Sequence, residues 1–223
     1  MNVREILRKN RIIYQIYIIL YRIFGRNKIK KGAQKDNNHV MLGDAKLTGC
    51  TIKISGKNNI IKIDSRSLLK DCRITLSGNE CKVTIGERGT FLGTEMVCED
   101  DQSTIKVGNR CICAGKTHFA ATEGKQIEIG NDFLCSNAVT IRTGDSHSIY
   151  NEEGKRINIG KDVRISEHVW LGNQVIILKG TELGRNVVVG SGSVVRGCFS
   201  DNTVIAGNPA RTIKEKINWD FRR

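Results

Sequence analysis

The chain is 223 residues long, carries a net charge of +13, and is 39% hydrophobic with only 5% aromatic residues. Residues 1–35 hold +9 of that charge and residues 211–223 hold +3, which leaves residues 36–210 almost neutral and excludes a basic nucleic-acid groove across the body. Eight cysteines occur without a secretory leader, because the apolar stretch from Ile12 to Phe24 is broken by Gln15 and Arg22 and runs into basic residues, so a reducing cytoplasm is expected rather than a disulfide-stapled secreted fold.

Residues 1–35 read as a basic amphipathic segment. A helix is predicted over residues 3–24, with Ile12, Ile13, Ile16, Ile19, Leu20 and Ile23 on one face and Tyr14, Tyr17 and Tyr21 alongside. Its apolar stretch of about 13 residues falls short of the ~20 needed to span a bilayer. Two roles stay open: a cap over strand edges in the next unit, and peripheral contact of residues 3–31 with an anionic membrane, placing the protein at the inner face of the plasma membrane.

From residue 36 a repeat takes over. Met41, Ile63, Ile85, Val107 and Ile129 recur every 22 positions, as do Leu47, Leu69, Phe91, Cys113 and Cys135. After Ile129 the next matching aliphatic is Ile159, so that coil is expected to carry a long loop over residues 142–156. From there the period is six: Ile159, Ile165, Leu171, Ile177, Leu183, Val189 and Val195. A six-residue period does not fit an α-helix and suits a flat side followed by a corner, three sides to a coil. The fold class is therefore all-β, a parallel β-helix of about eight coils over residues 36–208, roughly 40 Å long at the usual strand spacing. Cys98, Cys113 and Cys135 fall on repeat positions and read as small buried hydrophobes. Cys111-Ile112-Cys113 is too isolated for a metal site, and none is expected. Residues 209–223 form a tail, with a short helix predicted over residues 212–218.

The run Ile141-Arg-Thr-Gly-Asp-Ser-His147, then Ile159-Gly-Lys-Asp-Val, His168-Val-Trp170-Leu-Gly, Val189-Gly-Ser-Gly-Ser-Val-Val and Ala206-Gly-Asn-Pro-Ala-Arg211 resembles the hexapeptide-repeat acyltransferases. It is most similar to the maltose/galactoside O-acetyltransferase-like branch that includes the capsular and polysialic-acid O-acetyltransferases. The likeness is strong over residues 129–213, rests on the coil pattern alone over 36–128, and does not reach 1–35. It implies a left-handed coil and a homotrimer with sites between subunits. It also implies acetyl transfer from acetyl-CoA, with no metal, to a carbohydrate hydroxyl of a surface polysaccharide.

The same resemblance maps the catalytic histidine to His147 and the tryptophan beside the thiol end of acetyl-CoA to Trp170. A neutral imidazole suits a general base that takes the hydroxyl proton. Asp145, Glu152 and Glu153 remain open as the carboxylate that orients it. Gly172, Gly190, Ser191, Pro209, Arg211 and Lys214 are the implied CoA-binding set, the last two facing phosphates, and the loop is implied to shape the neighbour's acceptor pocket. Two other classes use such a prism: a non-catalytic scaffold, and a zinc carbonic anhydrase, whose close histidine pairs are missing here. A small sugar or antibiotic is the alternative acceptor.

Overall fold

The computed structural model describes residues 11–222, so the part of the predicted helix over residues 3–10 lies outside the described residues. Along the repeat the backbone is extended and every second side chain turns inward. Val163, Ile165, Val169, Leu171, Val175 and Ile177 are all at most 2% exposed. Each six-residue side therefore buries two side chains, the aliphatic that sets the period and a partner two residues before it. Phe91, Phe119 and Phe133 are the largest side chains of this core.

The sides stack into three parallel sheets, here called faces A, B and C, in the order the chain visits them. Face A runs from Lys28–Lys30 to Val194–Val195 and face B from His39–Met41 to Cys198–Phe199, with eight strands each. Face C runs from Lys46–Thr48 to Thr203–Gly207 and gains one antiparallel strand, Ala210–Glu215. The inward ladder of face C reads Leu47, Leu69, Phe91, Cys113, Cys135, Leu171, Val189, Ile205, each in register with the next. At the edge between faces B and C a residue in the left-handed region makes the corner. Arg66, Arg88, Arg110, Asp132, His168, Asn186 and Asn202 mark the edge between faces B and C, with φ between 56° and 62°. Three arginines there pay about 1 kcal/mol or more each for that backbone, so rung stacking rather than residue preference dictates the corner.

Four expectations need correction. Ile159 is 57% exposed, and the partner of Ile129 is Ile165, 36 positions on. The loop therefore occupies residues 143–162 rather than 142–156. Ile157 and Ile159 imitate a rung, but Asn158 is the residue turned inward there, at 8% exposure. Met41 is 46% exposed because Val40 pairs with Ile61 and Met41 with Lys62, making the first coil one residue shorter than the repeat. The prism also starts at Lys28–Lys30, ahead of residue 36. Finally, the tail forms no helix over residues 212–218. The free edge of the last rung in face C offers backbone partners, and Ala210–Glu215 takes them as a strand, whereas a helix of so few residues has too little to offset its nucleation cost.

The N-terminal helix, Arg11–Phe24, lies across the end of face C, where Lys46–Thr48 is the terminal strand. It docks by its polar side. Arg22 donates to the carbonyls of Ala45, Leu42 and Gly43, Gln15 donates to Asp44, and Lys46 stands over the Tyr17 ring. Ile18 is the one described large aliphatic of the helix that is buried. Ile16, Ile19, Leu20, Ile23 and Phe24 face outward, each more than two-fifths exposed.

Because a rung cannot collapse sideways onto a neighbour, a cavity in it stays open. Phe91→Ala is expected to lower stability by about 3–5 kcal/mol, read as a shift in the urea midpoint. A change under about 1 kcal/mol would contradict the packing described.

Candidate active site

The long loop hangs from the edge where face A meets face B and is tied there by charge. Arg156 pairs with Glu123 at 2.6 Å, and Glu123 also accepts from the Gly160 amide. On the next rung, Lys179 reaches both the Asp145 carboxylate, at 2.5 Å, and the Asn158 carbonyl, at 2.6 Å. Asn158 closes the set, donating to Asp145 and to the His147 carbonyl. These contacts hold the Asp145 carboxyl below its ordinary range, chiefly through Lys179, with Asn158 assisting against partial burial. Arg156, with the Gly160 amide, does the same for Glu123.

His147 is thus fixed by its backbone, while its side chain is exposed. Among the described residues of one chain the imidazole has no hydrogen-bond partner. Of the three carboxylates left open, Asp145 is engaged by Lys179 and Asn158. Its link to His147 runs through Asn158, which donates to both the Asp145 carboxylate and the His147 carbonyl. Arg142, at the root of the loop, donates to Ser146, yet its Nε is buried without a partner.

Trp170 stands outward on face C, in register with Leu134 and Val188. In a three-sided prism the A–B edge is the one opposite face C. One chain therefore keeps His147 and Trp170 apart, on opposite sides of its own core. The residues implied for CoA lie on or beside face C, from the rung of Trp170 to the last strand. Gly172, Gly190 and Ser191 lie at the end of face C on successive rungs, and Arg211 and Lys214 lie on its last strand. Ser191, Pro209, Arg211 and Lys214 are exposed. Gly172 has a packing reason to be glycine, because a Cβ there would come within 2.7 Å of the Ser191 amide nitrogen.

Sequence reasoning missed Trp219. Its ring centroid lies 5.9 Å from that of Trp170, it stacks on His168 at 4.2 Å with an 8° interplanar angle, and its indole N–H donates to the His168 carbonyl at 3.0 Å. The available signal was that Trp170 and Trp219 are the chain's only two tryptophans. His118 sits on face A, its Nδ1 3.2 Å from Glu95. The cysteines are free thiols, seven of them buried. Among the described residues no three His, Cys, Asp or Glu side chains are grouped to hold a metal.

A family signature described as "Bacterial transferase hexapeptide (six repeats)" matches residues 158–197. The chain is 57% identical over 53 residues to the putative lipopolysaccharide biosynthesis O-acetyl transferase WbbJ of Escherichia coli (strain K12), covering 24% of this chain and 27% of that one. It matches less than half the length of the curated relatives it resembles. Among solved structures, the polySia-specific acetyltransferase NeuO superposes with a TM-score of 0.83 at 27% identity, over 88% of this chain and 83% of that one. The polysialic acid O-acetyltransferase OatWY superposes with a TM-score of 0.79 at 32% identity, over 88% and 92%. The fold is the left-handed β-helix expected from the resemblance.

The loop tether carries a pH dependence with a defined sign. Asp145 titrates lower when tethered than when free, so the tether is intact above the ordinary Asp value of about 3.9 and is lost as pH falls through the lowered value. Hydrogen exchange of the amides in residues 143–162, taken relative to the intrinsic rate at each pH, should stay slow at pH 5 in the wild type and quicken only below about pH 4. Lys179→Met should quicken it at pH 5 and above. Equal protection in that variant would contradict the tether.

Proposed function

The chain belongs to the hexapeptide-repeat acyltransferase superfamily, and we propose that it is an O-acetyltransferase that moves an acetyl group from acetyl-CoA to a sugar hydroxyl of a surface polysaccharide. The observation that carries this reading is the pairing of an exposed, backbone-fixed imidazole on one edge with a tryptophan-headed, glycine- and cation-lined strip on the opposite face.

The working unit is a homotrimer, in which His147 of one subunit meets Trp170 of the next. Two features of a single chain support this. The outward row of face C is largely aliphatic, with Leu68, Ile112, Leu134, Val188 and Val204 in line. Face B instead carries a ladder of ion pairs suited to water, Lys106 with Glu128 and Arg164 with Glu182. The second is that the exposed His147 imidazole finds no hydrogen-bond partner among the described residues of one chain.

In the reaction His147 takes the proton of the sugar hydroxyl as its oxygen attacks the thioester carbonyl. The tetrahedral oxyanion is stabilised by backbone amides. Collapse breaks the C–S bond, and the imidazolium returns its proton to the departing CoA thiolate. Arg211 and Lys214, exposed on the last strand, pair with the phosphates of CoA, and Ser191 and Gly190 give the pantetheine arm close backbone approach. Gly172 and Pro209 complete that strip.

The protein acts in the cytoplasm, at the inner membrane face. The helix that caps face C turns Ile16, Ile19, Leu20, Ile23 and Phe24 outward, beside the basic run Arg26, Lys28, Lys30 and Lys31. That combination fits an interfacial helix on anionic lipid. Among the described residues no helix is long and apolar enough to cross a membrane.

Acetyl-CoA consumption across a panel of surface glycans tests the reading. His147→Ala should fold, trimerise and bind CoA, yet lose turnover at least ~10²-fold. Mixing denatured His147→Ala with denatured Trp170→Ala and refolding them together should restore activity that neither variant has alone. No restoration would place both groups in one chain's site, and full activity of His147→Ala would remove its role. Ile19→Glu with Ile23→Glu should release the protein from phosphatidylserine vesicles in a sedimentation assay without changing acetyl-CoA consumption. Unchanged sedimentation would remove the membrane contact.

A further inference from the structure

We infer that the C-terminal tail completes the donor end of this site, with Trp219 a positioning residue that holds Trp170 at the thioester. The inference rests on the functional reading above and adds to it a part of the chain that the repeat does not contain.

After the last strand the tail retraces the B–C edge of the prism, rung by rung and corner by corner. The Ile217 amide donates to the carbonyl of Asn202, the corner residue of the last rung. The Ile217 carbonyl accepts from Asn186, the corner residue one rung below. Trp219 then reaches His168, the corner residue of the rung below that, by the indole hydrogen bond and ring stacking already described. His168 is two residues ahead of Trp170 on the same rung. The tail therefore grips the rung that presents Trp170.

The grip is directional. Two independent contacts to His168 fix the Trp219 ring in both position and tilt. Phe221 packs edge-on beside it, with centroids 5.0 Å apart at 60°, and Arg222 folds back onto Asp220 at 2.8 Å. Trp219 then meets Trp170 at 45°, a tilted arrangement of the kind aromatic pairs favour. Trp170 is still 37% exposed. One side of its indole is thus backed by Trp219 while the rest stays open to a ligand. A tail that served only to end the fold would need the two asparagine contacts; it would not need an indole placed against the one exposed tryptophan of face C.

The chain's two tryptophans both lie in this cluster, so intrinsic tryptophan emission reports on it alone. The test is a titration with free CoA followed by that emission, together with steady-state kinetics on acetyl-CoA. In Trp170→Phe, where Trp219 is the only indole, saturating CoA should still change the emission. Trp219→Ala should remain a trimer by sedimentation, bind CoA about 2- to 10-fold more weakly, the worth of one aromatic pair, and raise KM for acetyl-CoA by a similar factor while leaving KM for the glycan unchanged. Trp219→Phe should restore most of the loss. Emission of Trp170→Phe that CoA leaves unmoved, or a wild-type KM for acetyl-CoA in Trp219→Ala, would overturn the inference. If Trp219→Ala does not fold, the Trp170→Phe titration still decides. A wild-type protein that neither binds CoA nor consumes acetyl-CoA would sink the functional reading and this inference with it; CoA binding in the wild type with no effect at Trp219 sinks this inference alone.

Discussion

A rung of this prism satisfies its backbone only by hydrogen bonding to the rungs above and below it. That single requirement locks the register of every strand, since a slip of one residue would turn a whole ladder of aliphatics to the outside. It also decides where anything else can go. Additions are tolerated at corners, where no ladder bond is lost, and all the extra residues of one coil are collected at the A–B edge as residues 143–162. Side chains that point outward are held in fixed rows, so Trp170 stands in line with Leu134 and Val188. The same stacking that builds the core therefore places the loop histidine and the face C tryptophan on opposite sides of it.

That separation is what gives the proposed trimer a chemical meaning. In that proposal a single prism holds two half-sites on opposite sides of its core, His147 as the base and the Trp170 strip for a long anionic ligand. In such a trimer, rotating a second copy against the first would bring unlike halves together, and cyclic closure would make three equal sites. The ion pairs of Asp145 with Lys179 and Glu123 with Arg156 hold the loop in place within a single chain. An imidazole fixed by its backbone loses less freedom on meeting substrate than one on a free loop.

Much of this was legible in the residues because the lattice of rungs writes itself into the spacing. The 22-residue ladders from Leu47 to Cys135 fall where the spacing puts them, as do the six-residue ones from Ile165 to Val195. The errors arose where a pattern has two physical meanings. Ile157 and Ile159 alternate as a rung does but belong to the loop, with Asn158 turned in to tie it. A short helix is expected over residues 212–218, whereas the free edge of face C recruits Ala210–Glu215 as a strand. The helix of residues 11–24 was legibly amphipathic, but nothing in its pattern said that the polar side, with Arg22 and Gln15, would face the protein. Trp219 was invisible for a plainer reason: its place depends on the tail retracing an edge, and no periodicity encodes that path.

The most direct test of the account is a crystal structure of the protein with CoA bound. It predicts three CoA molecules per trimer, each with its sulfur beside Trp170 of one subunit and near the His147 imidazole of the adjacent subunit, at about 3 Å or one water away. A CoA sulfur remote from every His147, or a site built from His147 and Trp170 of one and the same chain, would contradict it.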